Sequence, residues 1–233
     1  MGARSSVPAT VYEPLDAAAL DDRQRAFEVW DSIDPGRAFR WCSHAFFMYT
    51  FGGAAGIGRA RAVFRAALLG RVADFPYVYK EGIYLEAHDV GDVEAARRLL
   101  REWRARCAAA GADDLADFWR DAVRFELSHG DAESARAAVD AAVAECPRDA
   151  GVRAQCVVAE LALGDHARGR AAYDAALAAL AGDDDGGGVG VMELNERLRL
   201  NRRYLMEMTT FGGCLGLCRR YRWLRPPRWW EQL

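Results

Sequence analysis

Lysine is almost missing from this chain of 233 residues: Lys80 is the only one, and every other basic side chain is an arginine. A single lysine with no glycine-rich loop before it excludes a Walker-type phosphate cradle. The glycine run "GGGVGVME" lacks the strand–glycine–helix context of a dinucleotide site. Histidine is scarce too: His44, His88, His129 and His166 stand far apart, and neither H-E-x-x-H nor G-x-S-x-G occurs. No apolar run approaches the ~18 residues of a membrane-spanning helix. Six cysteines (Cys42, Cys107, Cys146, Cys156, Cys214, Cys218) are spaced for neither a disulfide framework nor a zinc site, so a reducing compartment is expected. The net charge of −3 argues against wholesale polyanion binding. Catalysis, a cofactor and a bound metal are not expected.

What the chain does have is a repeat. "YKEGIYLEAHDVGDVEAARRLL" places Tyr79, Glu86, Gly91-Asp92 and Ala96-Arg97 in order, and "WRDAVRFELSHGDAESARAAV" places Trp119, Glu126, Gly130-Asp131 and Ala135-Arg136. "RAQCVVAELALGDHARGRAAY" gives Glu160, Gly164-Asp165 and Arg170. A looser copy ends in Ala60-Arg61, with Thr50 at the acid's place and "FGGAAG" lengthening its turn. Arginines 61, 97, 136 and 170 are 36, 39 and 34 residues apart, a period that belongs to helix-turn-helix arrays. Each unit reads as an aromatic-rich first helix, a Gly-Asp turn and an alanine-rich second helix. The glycine suits a left-handed helix end, and the aspartate suits the N-cap of the next helix. Three residues after each arginine stands a larger side chain: Phe64, Leu100, Val139, Tyr173. Apolar positions recur at helical spacing, so strands are not expected.

Acid and arginine bracket each turn. Glu86 and Arg97, Glu126 and Arg136, and Glu160 and Arg170 lie late in a first helix and early in a second. Each pair is therefore expected to meet inside its own hairpin, the arginine fork on the carboxylate. Pairs such as Asp21-Asp22 and Asp113-Asp114 suit helix starts. His88, His129 and His166 fall beside the turns, and His44 reads as a core residue. Phe46, Phe47, Tyr49, Phe51 and Tyr77 read as core and inter-repeat packing, with a concave or self-association surface as the alternative.

Trp119, Phe125, Glu126, Gly130, Asp131, Ala135, Arg136 and Pro147 together resemble the half-a-tetratricopeptide (HAT) repeat, and Tyr79 to Arg97 resembles it next best. The fourth copy departs from the pattern, with Arg153 where the aromatic would stand. The resemblance covers roughly residues 22–181. It implies an all-α fold: a right-handed α-solenoid of about four HAT/TPR-like helix pairs, with a C-terminal capping helix and tail. It also implies a non-catalytic scaffold for protein subunits of an RNA-processing complex (splicing, 3′-end cleavage or rRNA processing) in the nucleus. The alternative is a general TPR-like adaptor in cytoplasm or organelle, associated with a membrane in one version. Four units are few for a scaffold, which leaves a homodimer, or a piece of a longer array, open.

Residues 1–21 read as a flexible leader and 22–181 as the repeats. Residues 182–190, rich in Asp and Gly, read as a linker, since so little apolar surface cannot offset the entropy of ordering. Residues 191–233 read as a capping helix, with Leu194, Leu198 and Leu205 on one face, followed by a tail. These residues carry nine arginines against four glutamates. In the tail, Arg219, Arg220, Arg222, Arg225 and Arg228 alternate with Tyr221, Trp223, Trp229 and Trp230. Three readings stay open there: docking onto a protein partner, tracking single-stranded RNA, or lying on a membrane surface. The opening "MGARSS" fits the myristoylation pattern, which makes Gly2 a candidate lipidation site. Mass spectrometry of the native N-terminal peptide tests this: a myristoyl group on Gly2 brings the membrane reading forward, and a free or acetylated terminus leaves a plain leader.

Overall fold

A computed structural model describes residues 15–199 apart from 34–35, 71, 73, 111 and 182–189. Among the described residues the protein is all-α, with no strand. The helices are α1 (Ala17–Ile33), α2 (Ala38–Phe51), α3 (Gly56–Leu69), α4 (Phe75–Tyr84), α5 (Val93–Ala110), α6 (Ala112–His129), α7 (Ala132–Glu145), α8 (Ala150–Ala162), α9 (His166–Leu180) and α10 over residues 190–199. A short 3-10 turn, Gly53–Ala55, joins α2 to α3, and a π-helical turn, Leu85–Val90, extends α4.

The chain divides into two compact units, residues 1–103 and 104–233. In the first, α2 packs on α3, both pack on α4, and α1 lies on α2. Met48, Ala45, Ala60, Ala67, Val78 and Leu85 form its buried centre. Phe46, Phe47, Tyr49 and Tyr77 pack against that centre, and Phe51 lies against Phe47, so these aromatics serve the core. His44 is buried and stacks on Phe27 at 4.7 Å. In the second unit, α6 packs on α7, both pack on α8, and α8 packs on α9. The two units thus repeat one scheme: a hairpin whose two helices both touch the first helix of the next. Leu194 and Leu198 of α10 are fully buried against the α8–α9 cluster, and the Tyr173 hydroxyl donates to Asn195 at 3.0 Å. Leu205, expected on the same face, lies outside the described residues.

The turns follow from the Gly-Asp pairs. Gly91 and Gly164 have φ of 80° and 81°, the left-handed conformation that favours glycine at a helix end. The next amide reaches back over the turn, Asp92 N–H to the Glu86 carbonyl at 2.7 Å and Asp165 N–H to that of Glu160 at 3.0 Å. Each aspartate then caps the following helix: Asp92 accepts from the Ala95 N–H at 2.9 Å, Asp131 from Ser134 at 2.7 Å and Asp165 from Arg168 at 3.0 Å. Asp16, Asp74 and Asp149 cap α1, α4 and α8 in the same way.

One expectation needs correcting. The helical body begins at Ala17, not at residue 22. Asp16 caps that helix, Leu20 is buried, and the Leu15 N–H bonds the Phe51 carbonyl at 3.1 Å, so the end of the supposed leader is held in place. Asp21 and Asp22 accordingly sit inside α1 and do not open it. The first helix of the second pair also carries one residue more than its counterparts. Glu86 stands five positions before Gly91, whereas Glu126 and Glu160 stand four before theirs. The π-helical turn over Leu85–Val90 absorbs that extra residue by widening one turn of backbone.

The Asp131 cap has a pH signature. The Ser134 backbone N–H holds the Asp131 carboxyl below its ordinary range. A depressed carboxylate stabilises the fold above the ordinary range, and that contribution fades as pH falls through the lowered value. Thermal melts of Asp131→Ala should therefore show a lower midpoint than the parent near neutral pH, with the gap closing in acid. A gap independent of pH would show that the charge plays no part.

Candidate functional site

The four alanines or glycines that precede the repeat arginines decide where those arginines point. Ala60, Ala96 and Ala135 are completely buried, and Gly169 is buried too. The neighbouring arginine is rotated about 100° around the helix. On α3 and α7 that turns it away from the hairpin's own first helix and towards the first helix of the next pair. Arg61 of α3 accordingly reaches Glu86, with Nε on Oε1 and the terminal nitrogen on Oε2, both at 2.7 Å. The same guanidinium contacts the Asp92 carboxylate at 3.3 Å. Arg136 of α7 reaches Glu160 at 3.5 Å and Asp165 at 3.5 Å. Arg168, inside the hairpin, adds a second cation to Glu160 at 3.0 Å.

The hairpin pairs expected from sequence spacing do not form as proposed. Glu86 pairs with Arg61 and not with Arg97, whose guanidinium bonds Glu94 at 2.7 Å. Arg136 pairs with Glu160 and Asp165, not with Glu126, which is half-buried. Arg170 bonds Asp174 one turn along its own helix at 3.1 Å, and Arg168 takes the place foreseen for it on Glu160. Glu86, Glu160 and Arg136 do form ion pairs, but with other partners than the spacing proposes. In both observed links one arginine meets a buried glutamate and the aspartate that caps the next second helix. Each aspartate thus has two tasks, as cap and as ion-pair partner.

The glutamates sit in the interior and the arginines at the edge. The Glu86 side chain is 6% exposed against 44% for Arg61, and that of Glu160 is 2% exposed. Such carboxylates stay ionised only when compensated. The bidentate bond to Glu86 raises the Arg61 pKa further above its already high value, so this cation does not titrate. A third polar cluster was missed in the sequence. The buried Trp119 indole donates to Glu145 at 2.8 Å, Arg104 bonds the same carboxylate, and the Arg104 guanidinium lies over the indole at 5.4 Å. Arg104 holds the Glu145 carboxyl below its usual range. The available signal was that a buried tryptophan needs an acceptor. In the first unit Tyr79 stacks on buried Trp103 at 6.0 Å, with Lys80 Nζ over the same ring at 5.6 Å.

The described thiols are poorly placed as nucleophiles. Cys42, Cys107, Cys146 and Cys156 are buried and in no disulfide, and burial pushes the Cys42 and Cys156 thiols up to about 12. Among the described residues, no cluster of three His, Cys, Asp or Glu side chains is placed to hold a metal, and no helix is long and apolar enough to cross a membrane. His88 contacts Asp89 at 3.1 Å and stacks on Tyr84, His129 lies against Phe125, and His166 opens α9. A cleft of about 470 Å³ opens between α3, α4 and α5, floored by Phe64, Leu68 and Leu99, with Glu86 and Arg61 in its wall. A second, of about 430 Å³, lies between α1, α2 and α3 beside Trp41 and His44. Gly2, Cys214, Cys218 and the tail residues Arg219, Arg220, Tyr221, Arg222, Trp223, Arg225, Arg228, Trp229 and Trp230 lie outside the described residues. Comparison with protein-family models, curated proteins and solved structures finds no match for this chain.

A double-mutant cycle tests the observed register. Arg61→Ala should cost about 3 kcal/mol in chemical denaturation by leaving the Glu86 carboxylate buried and unpaired. Its coupling to Glu86→Ala should be on the order of 1–3 kcal/mol, as for residues in direct contact. The same cycle with Arg97 in place of Arg61 should show no coupling. The reverse ranking would restore the within-hairpin pairing.

Proposed function

We propose that this chain is a non-catalytic helical-repeat scaffold, a right-handed stack of four HAT-like helix pairs (α2–α3, α4–α5, α6–α7, α8–α9) that holds protein subunits of an RNA-processing complex in the nucleus. The observation that carries the reading is the recurrence of one link, arginine to buried glutamate to capping aspartate, in both units and in the same chain order. An element that reappears at repeat spacing serves stacking. A reaction centre would need its groups assembled at one place. In this reading α10 closes the apolar end of the last pair, as terminal units of arrays must. The placement among RNA-processing assemblies rests on the resemblance of residues 79–97 and 119–147 to HAT repeats. The arginine- and tryptophan-rich segment 219–230 is then a docking element for a protein partner, with RNA as the second candidate.

Affinity purification of the tagged full-length chain is the direct test. Recovery of splicing, cleavage or ribosome-assembly factors is expected; recovery of chaperones, trafficking factors or respiratory assemblies would favour a cytoplasmic or organellar adaptor instead. Replacing Arg219, Arg220, Arg222, Arg225 and Arg228 together with alanine should remove a subset of partners. If it instead abolishes salt-sensitive RNA binding and leaves the partners unchanged, the tail is an RNA element.

A further inference from the structure

We propose that the cleft between α3, α4 and α5 is a binding site for an acidic, leucine-rich peptide segment of a partner protein. The proposal deepens the scaffold reading by naming the chemistry of a partner. It begins with the two walls. Arg61 and Arg65 stand one turn apart on α3, and Arg98 faces the cleft from α5. Arg61 is fully engaged, with both Glu86 oxygens and Asp92 around it. Arg65 and Arg98 are exposed and have no ion pair or hydrogen bond among the described residues. Two guanidiniums on the walls of one cleft therefore have no carboxylate of their own.

The floor is apolar. Phe64, Leu68, Leu99 and the Tyr79 ring line it, with Gly82 of α4 beside Leu99 and Phe64. Leu69 forms a lip of the cleft while 83% exposed, an apolar side chain left largely uncovered among the described residues. At about 470 Å³ the cleft falls within the ~300–1,000 Å³ usual for ligand-binding clefts. Charge decides among occupants. The chain's own segment 191–233 is basic and would be repelled by Arg65 and Arg98. Single-stranded nucleic acid wants exposed aromatic platforms, whereas the two rings here, Phe64 and Tyr79, are buried, and Glu102 adds a negative charge to the cleft. A segment with leucine-type side chains for the floor and carboxylates placed at Arg65 and Arg98, away from Glu102, matches the floor and both open cations, and the charges would steer its approach.

The test is a fluorescence-anisotropy titration of the full chain with a labelled amphipathic peptide built of Glu, Leu and Ala. A matching Lys, Leu and Ala peptide and an oligouridylate serve as competing probes. The acidic peptide should bind and the basic one should not. Arg65→Glu combined with Arg98→Glu should weaken binding about tenfold or more, as loss of a close charge pair does. Leu69→Asp should weaken it as well. All three positions are exposed, so the fold tolerates the changes, and circular dichroism checks that it does. The tail arginines are the same in every variant, so the difference reads the cleft alone. Equal binding by wild type and the double variant overturns the proposal, as does preference for the basic peptide. Oligouridylate binding with the same sensitivity to Arg65 and Arg98 also overturns it, in favour of a nucleic-acid surface. The assay needs no knowledge of the complex the protein joins, so it can fail while the scaffold reading stands, and the reverse.

Discussion

A carboxylate taken into a protein interior must find a cation or give up its charge. Glu86 and Glu160 are held under that constraint, and the rest of the architecture is arranged around it. Each draws an arginine from the preceding hairpin, and the same arginine binds the aspartate that starts the following helix. Three elements converge at each link: the first half of one second helix, the end of the next first helix and the start of the helix after that. Apolar packing between alanine-rich helices supplies most of the stabilisation but tolerates sliding. A bidentate guanidinium does not. Its contribution lies in fixing register more than in net free energy, since a buried pair and a well-packed apolar substitute are often of similar stability.

Much of this was legible in the residues. The Gly-Asp turns, the helix-capping aspartates and the all-helical class follow from local chemistry, and local chemistry is what a sequence displays most directly. Leu194 and Leu198 were placed on a buried face for the same reason. What the spacing could not reveal was the direction in which Arg61 and Arg136 point. A residue early in a second helix has two first helices within reach, its own and the next. The distance along the chain favours its own. The choice is made by the buried alanine beside each arginine, a packing fact that appears only when the helices are assembled. The Trp119–Glu145–Arg104 cluster was missed because its members lie on three helices, α6, α7 and α5, and show no repeat pattern. The start of α1 was placed late because Asp16 was not read as a cap.

The two units share a scheme but differ in chemistry. The second surrounds its glutamate with two arginines and buries nearly the whole of α8. The first surrounds its glutamate with one, and opens beside it a cleft whose other arginines, Arg65 and Arg98, have no ion pair among the described residues. Structural neutrality is complete in one place and unfinished in the other. In the scaffold reading proposed above, the unfinished place is the one that has something to offer a partner.

The widened turn at Leu85–Val90 has an evolutionary corollary. A first helix can gain a residue between its glutamate and its glycine without rotating everything downstream, because a single looser coil of backbone takes up the slack. Lineages copying such a module are therefore free to drift in length at that spot while the ionic clasp survives. Insertions elsewhere in the same helix would swing the acid out of reach and be lost. The bulge marks the joint where this architecture can lengthen without coming apart.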